Sequence, residues 1–366
     1  MSNLGCEDLS DDSNDTLSVG YSFDLPQYNL RGLRIFWGPR RRGSVEKDDR
    51  IEWETCRNRD ADTQNREVDR NLPGRRFLES HDLVALLMGQ AIDLALRMME
   101  TEKSVNIMSR VAKRLVDDCP EKIKHITPQS SPREVKTLTK RWLEKLRQLE
   151  FFKIQLIDLS GSPAAVCHRA WNRPTRNEPE TLADYYPHNA GLLMIEPSLV
   201  KKLVYHATSP HVDSHIERQK CLFHLASLII DETQCFWLAF LMPKMATPGM
   251  KQPVAVHSEA TRGLLDIYAP NVGYHWKAEF FGGLVSFRHC ISSPRANFNE
   301  IGGFGRNLSI GHVCLDRADG TEQQIVINSI IRCVQHDFSD VLPAGLRTYG
   351  NRVPPLGFSF VDYNSM

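Results

Sequence analysis

Residues 213–242 read DSHIERQKCLFHLASLIIDETQCFWLAFLM and contain the most apolar window of the chain. On an α-helix their apolar side chains would lie on nearly every side, and such a helix is buried among other elements rather than lying on a surface. Asp213 fits the N-cap position, and Pro243 would end the helix because proline cannot continue its hydrogen bonding. We therefore predict one long buried helix around which the rest of the domain packs.

Two carboxylates, Asp231 and Glu232, stand inside this apolar helix. Burying a charge costs free energy unless the charge is paired or bound to a metal. Asp231 and Cys235 are four residues apart, so they share one face of the helix, with Glu232 beside them. The segment 231–235 is therefore the candidate functional site.

The segment Asp231-Glu232-Thr233-Gln234-Cys235 resembles the His-Glu-x-x-His motif on the active-site helix of zinc metallopeptidases. In that motif two histidines on one helical face bind zinc, and the glutamate activates the metal-bound water. A second stretch, PNVGYHWKAEFFGG at 270–283, resembles the segment in which an acidic residue supplies the third ligand, the gluzincin arrangement. Metallopeptidase-like proteins of filamentous fungi combine two such segments.

The resemblance implies a role for each matching position. Asp231 and Cys235 stand at the two histidine positions, Glu232 stands at the general-base position, and Asn271 stands at the third-ligand position. Only Glu232 keeps the residue type of the motif. The resemblance covers about residues 190–290 and implies a zincin-like fold with a degraded or unusual zinc site.

His275 and Glu279 offer a different third ligand. If the segment around them is a helix that faces Asp231 and Cys235, either side chain could complete the site. Carboxylate, thiolate and imidazole all bind zinc, so such a ligand set is chemically sensible. Alternatively, Asp231 and Glu232 are paired with Arg or Lys side chains, and Cys235 packs as a small apolar residue. The residues leave both alternatives open.

The composition of the whole chain limits the classes of partner and location. The chain has 366 residues, 41% of them hydrophobic, and a formal net charge of zero. This supports a sizeable core and gives no reason to expect nucleic acid as a partner. No secretory signal or run of eighteen apolar residues is visible, and the nine cysteines, without CxxC pairs, fit reduced thiols. We therefore predict an intracellular, cytoplasmic protein, or a nuclear one through Arg40, Arg41 and Arg42.

Residues 1–75 differ in composition from the rest of the chain. An acidic start gives way to RGLRIFWGPRRRG at 31–43 and then to a mixed-charge run with few aliphatic residues. Such a segment cannot bury enough apolar area to offset its ordering entropy, so we predict a largely disordered arm. Within it, residues 33–37 could be a docking peptide or a nucleic-acid patch, or could pack against the globular domain. The remainder, 76–366, is predicted to be one α+β, zincin-like domain.

Hydrophobic periodicity predicts the elements of this domain. Before the buried helix we expect helices over 80–102, 104–118, 131–152 and 197–206, and strands over 154–159, 165–171 and 191–195. Ser131 and Glu134 have the spacing of a capping box for the third helix. After the buried helix, two alternating segments flank Asp319-Gly320, which is a hairpin signal.

The degraded motif determines the function that we expect from the sequence. We predict a metallopeptidase-like protein that is not catalytic, holds no cofactor, and binds a polypeptide or another ligand in the former cleft. One alternative is an active zinc-dependent hydrolase with Asp231, Cys235 and a residue from 271–279 as ligands and Glu232 as base. Another is an adaptor that acts through the Arg-rich arm.

Overall fold

The computed structural model describes residues 23–37, 76–78, 81–118, 120, 123–148, 151–156, 165–169, 181–242, 272–291, 308–317, 321–349 and 360–362. Within these ranges helices alternate with two small sheets and a short hairpin, so the chain is an α+β protein, as predicted. No helix in these ranges has the length and apolar character needed to cross a membrane.

The five predicted helices are all present among the described residues, and four further helices accompany them. Together they are α1 (Leu83–Glu100), α2 (Glu102–Asp118), α3 (Pro132–Gln148), α4 (Pro187–Ala190), α5 (Pro197–Thr208), α6 (Val212–Leu241), α7 (Val272–Phe281), α8 (Ile327–Val334) and α9 (Val341–Ala344). The capping box of α3 is confirmed, because the Ser131 amide donates to the Glu134 carboxylate at 2.6 Å and the Glu134 amide donates to Ser131 Oγ at 3.3 Å. Asp213 is not the N-cap of α6, since the helix begins at Val212 and His211 is the cap.

The first sheet has five strands and a mixed topology. Its strands are β3 (Ile35–Trp37), β4 (Arg76–Phe77), β5 (Lys153–Leu156), β6 (Ala165–Arg169) and β7 (Gly191–Ile195) in the order β4-β3-β5-β7-β6. Strands β3, β5 and β7 run parallel, while β4 and β6 are antiparallel edge strands. A separate hairpin, β1 (Phe23–Leu25) with β2 (Leu30–Leu33), precedes β3.

The predicted domain boundary at residue 75 is wrong for residues 23–37. Strand β3 pairs in register with β5, the Ile154 amide donates to the Arg34 carbonyl at 2.9 Å, and Leu30, Leu33 and Ile35 are buried. The aliphatic residues of this short segment supply the apolar area that the rest of the arm lacks, so it adds strands to the domain. The segment 33–37 is therefore not a free docking peptide. The arginines at 40–42 and the rest of the arm lie outside the described residues.

The second sheet is antiparallel and is formed by strands from the C-terminal part of the chain. It contains β8 (Leu284–Ile291), β9 (Leu308–Asp316), β10 (Glu322–Gln324) and β11 (Phe360–Asp362) in the order β10-β9-β8-β11. The predicted hairpin is confirmed, because β9 and β10 pair antiparallel with Asp316 opposite Glu322. The hydrophobic run that follows β10 continues as α8 rather than as a strand.

Helix α6 lies at the centre of the fold and contacts α1, α5, α7, α8, β6 and β9. Its burial on most sides confirms the prediction from its all-round apolar pattern: Leu222, Ile229, Phe236 and Trp237 are at most 1% exposed. Aromatic packing joins it to α3, with the Trp142 and Trp237 rings 5.1 Å apart. Each large aromatic side chain buried in this way removes extensive apolar area from water and stabilises the fold.

A buried charge network ties α3 to α1 and to the N-terminal segment. Asp93, only 1% exposed, accepts hydrogen bonds from Arg147 and Arg97, each at 2.8 Å. Arg147 also donates to the Tyr28 carbonyl at 3.1 Å and to the Glu100 carboxylate. A carboxylate buried this deeply is tolerated because its charge is matched and hydrogen-bonded.

Candidate functional site

The candidate site lies where helix α7 crosses α6, and a glycine sets the closeness of the crossing. A Cβ atom placed on Gly273 would lie 2.4 Å from Asp231 Oδ1 and 2.6 Å from Asp231 Cα. These distances are far below van der Waals contact, so only glycine lets the two backbones approach to this extent. The crossing therefore places the backbone of α7 directly against Asp231.

Asp231 is paired with a lysine from α7. Lys277 Nζ donates to Asp231 Oδ2 at 2.6 Å, and the two side chains are 7% and 17% exposed. Gly273 and Lys277 are four residues apart, so both lie on the face of α7 that meets α6. Burial raises the pKa of Asp231, while the charge and the hydrogen bond of Lys277 act in the opposite direction. The arrangement is a buried ion pair.

The second carboxylate oxygen of Asp231 is less well satisfied than the first. Asp231 Oδ1 is buried and has no hydrogen-bond partner among the described residues. A buried acceptor without a partner raises the cost of keeping the carboxylate ionised. This agrees with the upward shift of the Asp231 pKa, for which burial is the largest cause.

Contacts with α2 and α9 hold α7 in this position. The Trp276 indole donates to Ser104 Oγ at 2.7 Å in the buried interface with α2. Lys103 Nζ donates to the carbonyls of Phe280 and Val341 at 2.8 and 2.9 Å. Because the last carbonyls of a helix lack partners within it, a cation at this end both caps α7 and complements its dipole.

The predicted alternative ligands, His275 and Glu279, do not meet Asp231. They pair with each other, His275 Nε2 lying 2.9 Å from Glu279 Oε1, and Glu279 also pairs with Arg110 of α2. At about 100° per residue they lie on the side of α7 roughly opposite to the side that carries Gly273 and Lys277. The segment is a helix, which was the first condition for such a ligand, but the face that it presents to Asp231 carries a lysine instead.

Two other predicted site residues, Glu232 and Cys235, lie on α6 itself. Glu232 and Cys235 are both half-buried, and Cys235 packs against the hydrophobic core. Asn271, the predicted third ligand, lies outside the described residues. Among the residues that the structure describes, no three His, Cys, Asp or Glu side chains lie close enough together to hold a metal ion.

The two remaining residues of segment 231–235, Thr233 and Gln234, are buried and contact α6 and α1. Thr233 Oγ1 donates to the Ile229 carbonyl one turn earlier at 2.6 Å, and Gln234 Nε2 approaches Met99 Sδ of α1 at 3.5 Å. Both side chains are at most 2% exposed. The segment 231–235 is therefore embedded in the domain and does not line an open cleft along its whole length.

Sequence reasoning missed Lys277 as a residue of the site. The sequence contains a signal, because Lys277 follows Gly273 by four residues in a helix that is otherwise rich in aromatic residues. A glycine inside a helix often marks a close approach of two backbones, and a residue four positions on shares its face. A lysine at that position is a candidate partner for a carboxylate on the opposing helix.

Comparisons of this chain with protein-family models, with curated proteins and with solved structures returned no match. The resemblance to zinc metallopeptidases therefore stays a prediction from the residues of the two segments.

The close crossing at Gly273 predicts that alanine at this position lowers the stability of the protein, whereas alanine in place of a helical glycine usually raises it. In an exposed helix, replacing glycine by alanine stabilises the helix by about 1 kcal/mol. Here we expect Gly273→Ala to lower the free energy of unfolding by about 2 kcal/mol, since the added methyl group would overlap the backbone of α6. Urea unfolding followed by circular dichroism measures the change. An increase in stability would show that the two helices do not cross at this distance.

Proposed function

We propose that this chain is a non-catalytic, metallopeptidase-like protein in which a lysine ammonium group takes the place of a metal ion, and that it acts by binding a polypeptide or another ligand. The single observation that carries the proposal is the 2.6 Å contact between Lys277 Nζ and Asp231 Oδ2 in the interior of the domain. In the resembled motif, the residue at the position of Asp231 directs its side chain to zinc. Here that side chain is directed to a cation that belongs to the chain itself.

The chemistry of the ion pair supports a binding or structural role. A zinc ion activates water because it has a vacant coordination position and lowers the pKa of the water that binds there. An ammonium group supplies positive charge and hydrogen-bond donors, but it has no coordination position for water. Glu232 is half-buried beside this pair and would have no metal-bound water from which to take a proton.

The free-energy cost of burying Asp231 also favours a lysine beside it. A buried carboxylate without a counter-charge is strongly destabilising, so a chain that keeps Asp231 in this interior position requires a cation beside it. Lys277 meets that requirement from α7, and Gly273 allows α7 to come close enough. Lys277 already contacts Asp231 Oδ2, so a zinc ion at this carboxylate would have to compete with the lysine.

Elemental analysis tests the proposal directly. The full chain is incubated with zinc, dialysed, and compared with the Asp231→Asn and Cys235→Ser variants. We expect all three proteins to retain the same amount of zinc, because neither residue is a ligand; any zinc held elsewhere in the chain would be common to all of them. One zinc ion per chain that is lost in both variants would refute the proposal and support the zinc-dependent hydrolase, and peptidase assays with Glu232→Gln would then follow.

A further inference from the structure

A cavity of about 190 Å³ lies between the first turns of α6, the second sheet and α8, away from the ion pair. Its apolar wall is formed by Val313 of β9, by Ile325, and by Ile327 and Ile330 of α8. It also contains Lys220 of α6, which is eleven residues, or about 16 Å along the helix axis, from Asp231. The cavity is therefore separate from the candidate site.

The size of the cavity limits what it can hold. An engineered cavity of about 150 Å³ with apolar walls binds benzene, so a volume of this size accepts one aromatic ring or a short branched alkyl group. Ile216 and Tyr349, 37% and 50% exposed, form the accessible rim. A ligand could therefore place an apolar group inside and a polar group near the rim.

The polar side chains that line the cavity indicate the charge of that polar group. Of the described residues that line it, Lys220 alone is charged, and Gln324 and Tyr349 add an amide and a phenol group. Glu217, the acidic partner of Lys220, is not among the lining residues. A ligand in the cavity thus meets the lysine side of an ion pair whose carboxylate lies outside the lining, which favours a negatively charged hydrogen-bond acceptor next to Lys220.

The ammonium group of Lys220 is held in place before any ligand binds. Lys220 Nζ donates to Glu217 Oε1 and to the Ile310 carbonyl, each at 2.7 Å, and Glu217 Oε2 accepts from the Ile310 amide at 2.8 Å. The lysine side chain is only 12% exposed. Because its position is fixed by these contacts, a ligand loses little binding free energy in ordering it.

We propose that this cavity is a binding site for a small monocarboxylate that carries one aromatic or branched apolar group. The apolar group fills the space beside Ile325, Ile327 and Ile330, and the carboxylate accepts a charge-assisted hydrogen bond from Lys220 at the cavity wall. This site goes beyond the proposed function, since it uses neither Asp231 nor Lys277. Both proposals can thus be tested separately.

The test uses three probes that differ only in the polar group: 4-fluorophenylacetate, 4-fluorophenylacetamide and 4-fluorophenethylamine. Titration of the full-length chain is followed by fluorine NMR. We expect the carboxylate to bind with a Kd of about 1 mM or lower, as suits a ligand of this size. The amide should bind about tenfold more weakly, because a neutral acceptor makes a weaker hydrogen bond with an ammonium group, and the amine should bind more weakly still.

Two variants separate the roles of the charge and the cavity. Lys220→Met should abolish the preference for carboxylate over amide, and Ile327→Trp, which fills the cavity from a half-buried position, should abolish binding of both. Lys140→Met, at a half-exposed lysine of α3, is the matched control and should leave every Kd unchanged. Thermal unfolding verifies that each variant is folded. If Lys220→Met does not fold, Ile327→Trp still tests whether the probes bind in this cavity.

Several results would overturn the proposal. Equal affinity for the carboxylate and the amide would remove the role of Lys220. Unchanged binding by Ile327→Trp would place the probe somewhere other than this cavity. Absence of binding by any probe at 10 mM, about ten times the expected Kd, would rule out a site of this chemical class.

Discussion

Replacing Lys277 by methionine is expected to lower the free energy of unfolding by about 3 kcal/mol at pH 8. The substitution keeps most of the side-chain volume but leaves the Asp231 carboxylate buried beside α7 without its counter-charge. Such an uncompensated charge is among the most destabilising changes that a single substitution can make. Urea unfolding of the variant and the unmodified chain at the same pH measures the difference.

The loss of stability in Lys277→Met is expected to grow as the pH rises. Burial raises the pKa of Asp231 in the folded chain, so the folded state binds this proton more tightly than the unfolded state does. Stability therefore falls as the pH rises from the unfolded pKa, about 3.9, to the folded pKa. In Lys277→Met the pKa of Asp231 in the folded chain rises further, because the charge and the hydrogen bond of Lys277 no longer lower it. We therefore expect the loss in Lys277→Met to be smaller at pH 5 than at pH 8.

A double variant separates the charge effect from the packing effect. In Asp231→Asn/Lys277→Met both charges are absent, and we expect most of the lost stability to return, since removing both partners of a buried pair is often close to neutral. The stability of this double variant should also vary less with pH between 5 and 8. If the double variant is as unstable as Lys277→Met at both pH values, the loss arises from packing around α7 instead of the charge of Asp231.

The second large effect is expected from Arg147→Met, which should lower the free energy of unfolding by about 3 kcal/mol. Arg147 is 8% exposed and contacts Asp93 and Glu100 of α1 and the Tyr28 carbonyl, so its loss removes a donor from acceptors on two separate segments of the chain. Asp93 would keep its hydrogen bond from Arg97. That remaining contact is the reason for placing the expected loss at the lower end of the range for broken buried pairs.

Arg141 provides the matched control for this prediction. It lies on the same helix, α3, and is exposed, so Arg141→Met should change stability by less than about 0.5 kcal/mol. Unfolding in urea measures both variants under the same conditions. Equal and small effects of the two substitutions would mean that the network around Asp93 contributes little to the stability of the fold.

The pair of Asp231 and Lys277 explains how a carboxylate can be kept inside the most apolar helix of the domain. The carboxylate of Asp231 is costly in the interior of the protein, and the lysine offsets part of that cost. The same reasoning applies to Asp93, whose partners come from α1 and α3. In both places a residue that is far away in the sequence supplies the counter-charge.

The sequence by itself determined most of the elements. Helical periodicity located α1, α2, α3, α5 and α6, and Ser131 with Glu134 marked the beginning of α3. These signals are local, since a helix face, a cap or a hairpin depends on residues within a few positions of one another. The position of Asp231 inside the most apolar helix was also visible, and with it the need for a partner.

Only the tertiary structure decided which residue meets Asp231 and where residues 23–37 belong. The choice among His275, Lys277 and Glu279 depends on the rotation of α7 about its own axis, and the close contact at Gly273 fixes that rotation. Strand β3 pairs with β5, which is more than 100 residues later in the sequence. Neither outcome is encoded in local periodicity, because each depends on contacts between segments that are distant in the chain and meet only when the whole domain packs.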